Sequence, residues 1–297
     1  MLEPDLLIDR RRLKRRLNFW RLIAVLAVVG ALVAVARPTG TLSLSHVARI
    51  NVNGVITDDR QLTDRVRRLA KDGSVAAVIV SIDSPGGSVA GGESLYDAIR
   101  DVAGAKPTVA VMRGTAASAG YMVALPTNRI FAQQSTLTGS IGVILETAEF
   151  SGLLKTLGVD AEAITSGPLK DQPSFSRPLS PEGRDYLNGV VQDMFAQFVD
   201  KVVRGRHMTE DAVRKLADGR AYTGRQAKAL GLVDEIGGEA EARNWLSDKY
   251  QIAQNLPTDD VERRGFLERN LGSALTDLKL MLLDGVGGGA WAIWTGR

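Results

Sequence analysis

Three runs rich in valine and isoleucine constrain this chain more than any other feature. They are "ARINVNGVI" (48–56), "VAAVIVSID" (75–83) and "PTVAVMRG" (107–114). A strand with one wet face alternates apolar and polar residues. A nearly continuous apolar run suits a strand buried on both faces, which is the habit of parallel sheets. Parallel neighbours need a crossover between them. The intervening "RQLTDRVRRLAKD" (60–72) and "SVAGGESLYDAIRDVAG" (88–104) have the helical period to supply it. The pattern predicts further strands over 129–133, "IGVILETAEF" (141–150) and "DAEAIT" (160–165), and a helix near 118–126. Helices are predicted over 181–204, 209–217, 224–231 and 238–250. This is an α/β domain of parallel βαβ units with helices packed around the sheet. No internal repeat is visible.

The amino-terminal stretch reads differently. Residues 1–16 form a basic arm, followed by the apolar run Leu22–Ala36 between Trp20-Arg21 and Arg37-Pro38. Fifteen residues are short for a span of about 20. Leu17, Phe19 and Trp20 bring the stretch 17–37 close to that length, with Arg21 snorkelling. The expectation is one transmembrane helix over 17–37 with the amino terminus cytoplasmic and the body outside, in a cytoplasmic (inner) membrane. A cleaved signal ending at Ala34-Val35-Ala36 is the rival reading, and Pro38 just beyond it disfavours cleavage. The body is expected over 46–250, with a tail over 251–297.

Composition removes several classes of function. The chain has no cysteine, so disulfides, thiolate metal sites and cysteine nucleophiles are absent. Its two histidines, His46 and His207, are poor material for a serine–histidine–aspartate triad or a histidine metal site. The formal charge of +3 is concentrated in residues 1–37, which carry +5 and leave the body at −2. Nothing in the body suggests a nucleic-acid surface.

One serine stands out. "GTAASAGYM" (114–122) sets Ser118 among small residues, between a strand and a helix, where helix-start amides converge. "DSPGGSV" (83–89) ends the preceding strand. Carboxyl ends of neighbouring parallel strands share one sheet edge, so Gly86-Gly87 is expected beside Ser118. The Gly87 and Ala119 amides would then form an oxyanion hole. The partner base is less legible. Lysine serves only when neutral, and its ordinary pKa of about 10.4 must first be lowered. Lys170 in "TSGPLKDQPSF" (165–175) lies among small and proline residues, but residue type alone does not separate it from the other lysines.

"IDSPGGSV", "GTAASAGYM", "TLTGSIGVI" and "ITSGPLKDQPS", in this order, resemble the signal peptide peptidase family of serine–lysine proteases, the SppA type. "LADGRAYTGRQAKALGLVDEIGG" (216–238) resembles a later block of the same family. The resemblance covers roughly 46–250, at the length of the short, single-domain form. It implies a ClpP/crotonase-like core with Ser118 as nucleophile and Lys170 as general base. Ser140 is implied to orient the lysine and Gly87 to donate to the oxyanion, with Gly86 the alternative donor. Asp171 must point away from the amine, because a carboxylate there would keep it charged. No metal or cofactor is required. The implied substrates are remnant signal peptides and other membrane-associated peptides, handled by a ring-like homo-oligomer. Rival functions on related architecture are a stomatin-partner-type membrane protease and a crotonase-like acyl-CoA enzyme.

Overall fold

The computed structural model describes Arg16, residues 19–27 and residues 45–261. Residues 19–27 are helical and exposed. The rest of the expected anchor, apart from these residues, lies outside the described residues, as does the tail beyond Val261. Among the described residues no helix is long and apolar enough to cross a membrane.

The body forms as the apolar runs predict. Strands β1 (His46–Asn53), β2 (Val75–Ser84) and β3 (Thr108–Ala117) lie side by side in parallel. The crossovers are α1 (Arg60–Leu69) and α2 (Val89–Ala103). Each helix begins at an acceptor side chain. Asp59 takes the Leu62 amide at 3.0 Å, and Ser88 takes the Gly91 amide at 3.2 Å. The β2 and β3 runs are continuous because both sheet faces are covered there, whereas β1 alternates, with Arg49, Asn51 and Asn53 on its second face. Ala48, Ile50, Val78, Val80 and Ala110 face α1 and α2, whereas Val47, Ile79, Val109 and Phe131 face Ala242 and Leu246.

Beyond β3 come α3 (Ala119–Met122), β4 (Arg129–Ala132), β5 (Leu137–Gly139) and α4 (Ser151–Thr156). Then follow α5 (Pro181–Arg206), α6 (Glu210–Leu216), β6 (Ala221–Thr223), α7 (Gly224–Ala229), β7 (Glu235–Ile236), α8 (Glu239–Tyr250) and β8 (Thr258–Val261). The sheet order is β6-β5-β3-β2-β1-β8, with β4 also on β3 and β7 on β4. Only β5–β6 is antiparallel.

Three features depart from the sequence expectation. Residues 141–150 and 160–165 form no strand, and apart from buried Ile141 and half-buried Gly142 and Val143 they are exposed. Both edges of the preceding β5 are already taken, by β3 and β6, so the apolar residues after it find no edge to extend. Strand β8 pairs with β1 in parallel, so the domain runs past residue 250 to Val261. Its sequence, "TDDV", is too polar to signal a strand; Asp260 is held there by Arg49 at 2.6 and 2.9 Å.

Candidate active site

β3 bends at the point where the site begins. Its first half pairs with β4 and its last three residues with β5. On the β2 side the register passes from Ile82↔Met112 to Ser84↔Ala116, so β3 bulges outward opposite Asp83. The Asp83 carboxylate fills the gap by accepting the Thr115 amide at 3.0 Å. The bulge aims the end of β3 at the loop after β2.

Ser118 is the elbow between β3 and α3. Its φ of 53° is in the left-handed region, costly for a residue with a Cβ. The surroundings impose it. The Ser118 amide donates to the Gly139 carbonyl at 2.9 Å, and its carbonyl accepts from Met122 at 2.9 Å. Tyr121, wholly buried one turn on, donates its hydroxyl to the Leu232 carbonyl at 2.8 Å. Burial and the nearby Asp234 carboxylate push that phenol's pKa well up, only partly offset by Arg206, so it stays a donor. The Ser118 hydroxyl itself has no hydrogen-bond partner among the described residues.

The glycine pair meets Ser118 as expected, with different duties for its two members. Gly86 has φ +115°, and a Cβ on it would be 2.9 Å from the Ser118 Cβ and 3.2 Å from the Ala119 nitrogen. Gly87 bridges Ile56 in parallel. In such a bridge the flanking groups make the bonds: Ile56 donates to Gly86 at 2.8 Å, and Ser88 donates to Ile56 at 2.9 Å. The Gly87 amide therefore points the other way and is free. A Cβ on Gly87 would lie 2.0 Å from the Ile56 oxygen, so only glycine fits. Gly86 has its amide on the Ser84 hydroxyl at 3.1 Å. Of the pair, Gly87 is therefore the one whose amide is uncommitted among the described residues. Ala119, first in α3, has no intrahelical acceptor for its amide. Two free amides and an unpartnered hydroxyl at one strained elbow suit acyl transfer.

Ser140 stands next in chain to Gly139, whose carbonyl holds Ser118, and its own φ of 48° is fixed by its amide on the Arg220 carbonyl at 2.9 Å. Lys170 is the residue not brought in. Its side chain is exposed and makes no hydrogen bond with either serine within this chain. Asp171 is turned to Arg177 in an ion pair.

Sequence reasoning missed a second lysine. Lys201 is 7% exposed, bonded to Glu93 at 2.9 Å and set over the Tyr96 ring. Glu93 follows Gly92, whose Cβ position is 2.9 Å from the Ala119 Cβ. The available signal was a lysine inside the apolar "FVDKVV" of α5. It is an ion pair bracing α5 against α2, with its amine committed to a carboxylate, and so is unsuited to act as a base. Neither histidine is a candidate: His46 is at the amino end of β1, away from the carboxyl edge, and His207 is an exposed left-handed cap of α5.

Comparison with known proteins agrees with this geometry. The model of peptidase family S49 matches residues 100–253, and the Clp protease model matches 43–137. A provisionally named protease of Synechocystis sp. is 38% identical over 246 residues, covering 82% of this chain and 89% of the relative. The chain belongs to peptidase family S49. As an S49 protein it is a serine protease of the SppA type, with a ClpP-like core. A provisionally named signal peptide peptidase SppA of Enterococcus faecium is 33% identical over 79% of this chain and 73% of its own length. The chloroplastic serine protease SPPA of Arabidopsis thaliana is 31% identical over 81% of this chain, but only 34% of its own length is matched.

Proposed function

We propose that this S49 protease is a membrane-anchored endopeptidase in which Ser118 is the nucleophile and Lys170 the general base. The observation that carries the reading is the strained Ser118 elbow against Gly86, with the neighbouring Gly87 and Ala119 amides uncommitted among the described residues. In the proposed cycle neutral Lys170 takes the Ser118 proton, and the serine oxygen attacks a peptide carbonyl. The two amides hold the oxyanion. Lys170 then protonates the leaving amine and activates the water that releases the acyl group. Ser140 orients the amine through its hydroxyl, which adds no charge.

The dyad calls for an assembly. Lys170 is on the excursion 142–180, which exposes Ile144, Leu153, Leu157, Ile164 and Phe175. Apolar exposure on this scale favours coverage by other copies of the chain. A ring-like homo-oligomer supplies that coverage and encloses the site, so that only extended chains enter. The basic arm and the apolar run 17–37 favour a single-pass anchor in the inner membrane, with the amino terminus cytoplasmic and the catalytic domain outside. A protease tethered there suits remnant signal peptides and other membrane-associated peptides.

The test is hydrolysis of an apolar peptide by purified protein. Ser118→Ala should abolish cleavage with the fold unchanged by circular dichroism. Cleavage near the normal rate would remove Ser118 from the reaction. For topology, a reporter active only outside the cytoplasm, fused after Val261, should work; a reporter active only in the cytoplasm working there instead would reverse the orientation.

A further inference from the structure

A polar cavity of about 540 Å³ lies over the carboxyl halves of β1–β3, on the sheet face opposite α1 and α2. Helix α8 covers the amino halves of these strands through Ala242 and Leu246. Past that cover the floor changes from valine and isoleucine to Asn51, Asn53, Ser81, Arg113 and Gln133. Ser81 is in register between Asn51 and Val111, in the middle of the sheet. It is only 6% exposed, yet its hydroxyl has no partner among the described residues. The hydroxyl oxygen is open to the cavity, so a ligand atom there would take the place of water on it.

The chemistry of the floor narrows the ligand. Arg49 is bonded to Asp260 and Glu239 at the α8 end, so its charge is met internally. Asn51 donates to Asp260 at 3.0 Å and leaves its carbonyl oxygen open. Asp83, in register with Asn53, has a carboxylate oxygen on the Thr115 amide. Arg113 is exposed, and its guanidinium has no partner among the described residues. The floor is thus hydrogen-bonding, and its charges without an ion-pair partner among the described residues are the Arg113 guanidinium and the neighbouring Asp83 carboxylate. Asn51 and Asn53 project from one face of one strand, about 6.8 Å apart, which is the two-residue repeat of an extended polypeptide.

We propose that this cavity is a second polypeptide site, distinct from the Ser118 elbow, which holds an extended chain end with its terminal carboxylate on Arg113. The asparagine and glutamine amides and the Ser81 hydroxyl take backbone groups, and the guanidinium takes the carboxylate in a charge-assisted pair. Each cleavage by a serine protease creates one new terminal carboxylate, so the site suits products and trimmed substrates. A glycan matches the amides equally well but has no use for the cation.

The experiment uses the full chain carrying Ser118→Ala, so that nothing is turned over. The probe is a fluorescent hexapeptide of alanine and valine, made with a free carboxylate or a terminal amide. Binding is read by anisotropy and by hydrogen-exchange protection. The acid should bind roughly three- to tenfold tighter than the amide, with protection over 49–53 and 111–113. Arg113→Ala should erase the difference. Ser81→Val, which puts a residue suited to a buried strand into the cavity, should weaken both forms while leaving the urea midpoint in place. Equal binding of acid and amide would overturn the proposal. So would protection confined to residues around Ser118, a chitin trisaccharide displacing the peptide, or Arg113→Ala altering only sedimentation. The Ser118 assignment is tested by hydrolysis, so these failures leave it standing.

Discussion

The Ser118 elbow and the excursion that carries Lys170 are built on opposite principles. Around Ser118 every backbone direction is determined by something buried: Gly139 on one side, Gly86 beneath, and Tyr121 anchored to Leu232. The excursion is held chiefly by its own turns. Phe150 donates to Phe175 at 2.7 Å, Arg177 pairs with Asp171, and α4 buries none of its six residues. The difference teaches that, under the proposed dyad, Ser118 is positioned by the single fold, whereas Lys170 has to acquire its surroundings from outside that fold.

The largest effects test that division directly. Ser118→Ala and Lys170→Ala should each lower peptide hydrolysis by on the order of 10⁴-fold or more, since either removes a member of one unit. Lys170→Arg should be as inactive as Lys170→Ala, because a guanidinium keeps its proton. An active arginine variant would recast Lys170 as a substrate contact. The sharper version mixes the Ser118→Ala and Lys170→Ala chains. Recovery of activity in the mixture places the dyad between copies; no recovery, with assembly intact, places it within one.

The next effect is on the folded half. Arg206 fastens the 231–234 loop under Tyr121. It donates to Gly231 at 2.9 Å and grips Asp234 at 2.7 and 3.1 Å. Asp234→Ala strands a guanidinium only 10% exposed and should cost about 3 kcal/mol in urea unfolding. Burial alone would raise the Asp234 carboxyl, but Arg206 and the Ile130 amide outweigh it and hold it below the usual carboxylate range. A carboxyl depressed in the folded state stabilises above its unfolded pKa and loses that contribution as pH falls through the folded value. Stability of the unaltered chain should therefore fall as pH drops below about 4, the ordinary aspartate value, and Asp234→Asn should flatten that slope. An unchanged slope would remove Asp234 from the acid response.

Gly86→Ala strikes the hinge between the glycine loop and the elbow. Its Cβ would lie 2.9 Å from that of Ser118, at a φ that alanine resists. The expected cost is about 1–3 kcal/mol, with catalysis falling further than stability, on the order of 100-fold, because the displaced atom is next to the nucleophile. If the rate loss only tracked the unfolded fraction, Gly86 would be structural alone.

What was legible in the sequence follows the same line. Strands β1–β3 and their crossover helices were readable because burial writes itself into the residues, and the meeting of the glycine loop with Ser118, through Gly86, followed from the shared carboxyl edge. Residues 141–150 misled because "IGVIL" has strand composition, while the availability of a sheet edge is a property of the whole topology. β8 was silent because an aspartate, held by Arg49, takes a place where a valine would have signalled. Lys170 was named through resemblance alone, since its environment in the single chain is exposed and carries no signal of its own.

The smallest effect is the most informative about the excursion. Leu157 and Ile164 are 66% and 98% exposed, so neither contributes packing to the core. Leu157→Asp and Ile164→Asp should change the urea midpoint of the dissociated chain by no more than about 0.5 kcal/mol, the range of ordinary surface substitutions. The same substitutions at Val80 or Ile130, buried in the sheet, would prevent folding. If the excursion is covered by a neighbouring copy, the two aspartates desolvate there and should shift sedimentation toward the single chain, with hydrolysis falling in step. Loss of stability in the dissociated chain would mean that the excursion belongs to the core after all. Unchanged sedimentation with full activity would mean that nothing covers it and that Lys170 reaches Ser118 without help.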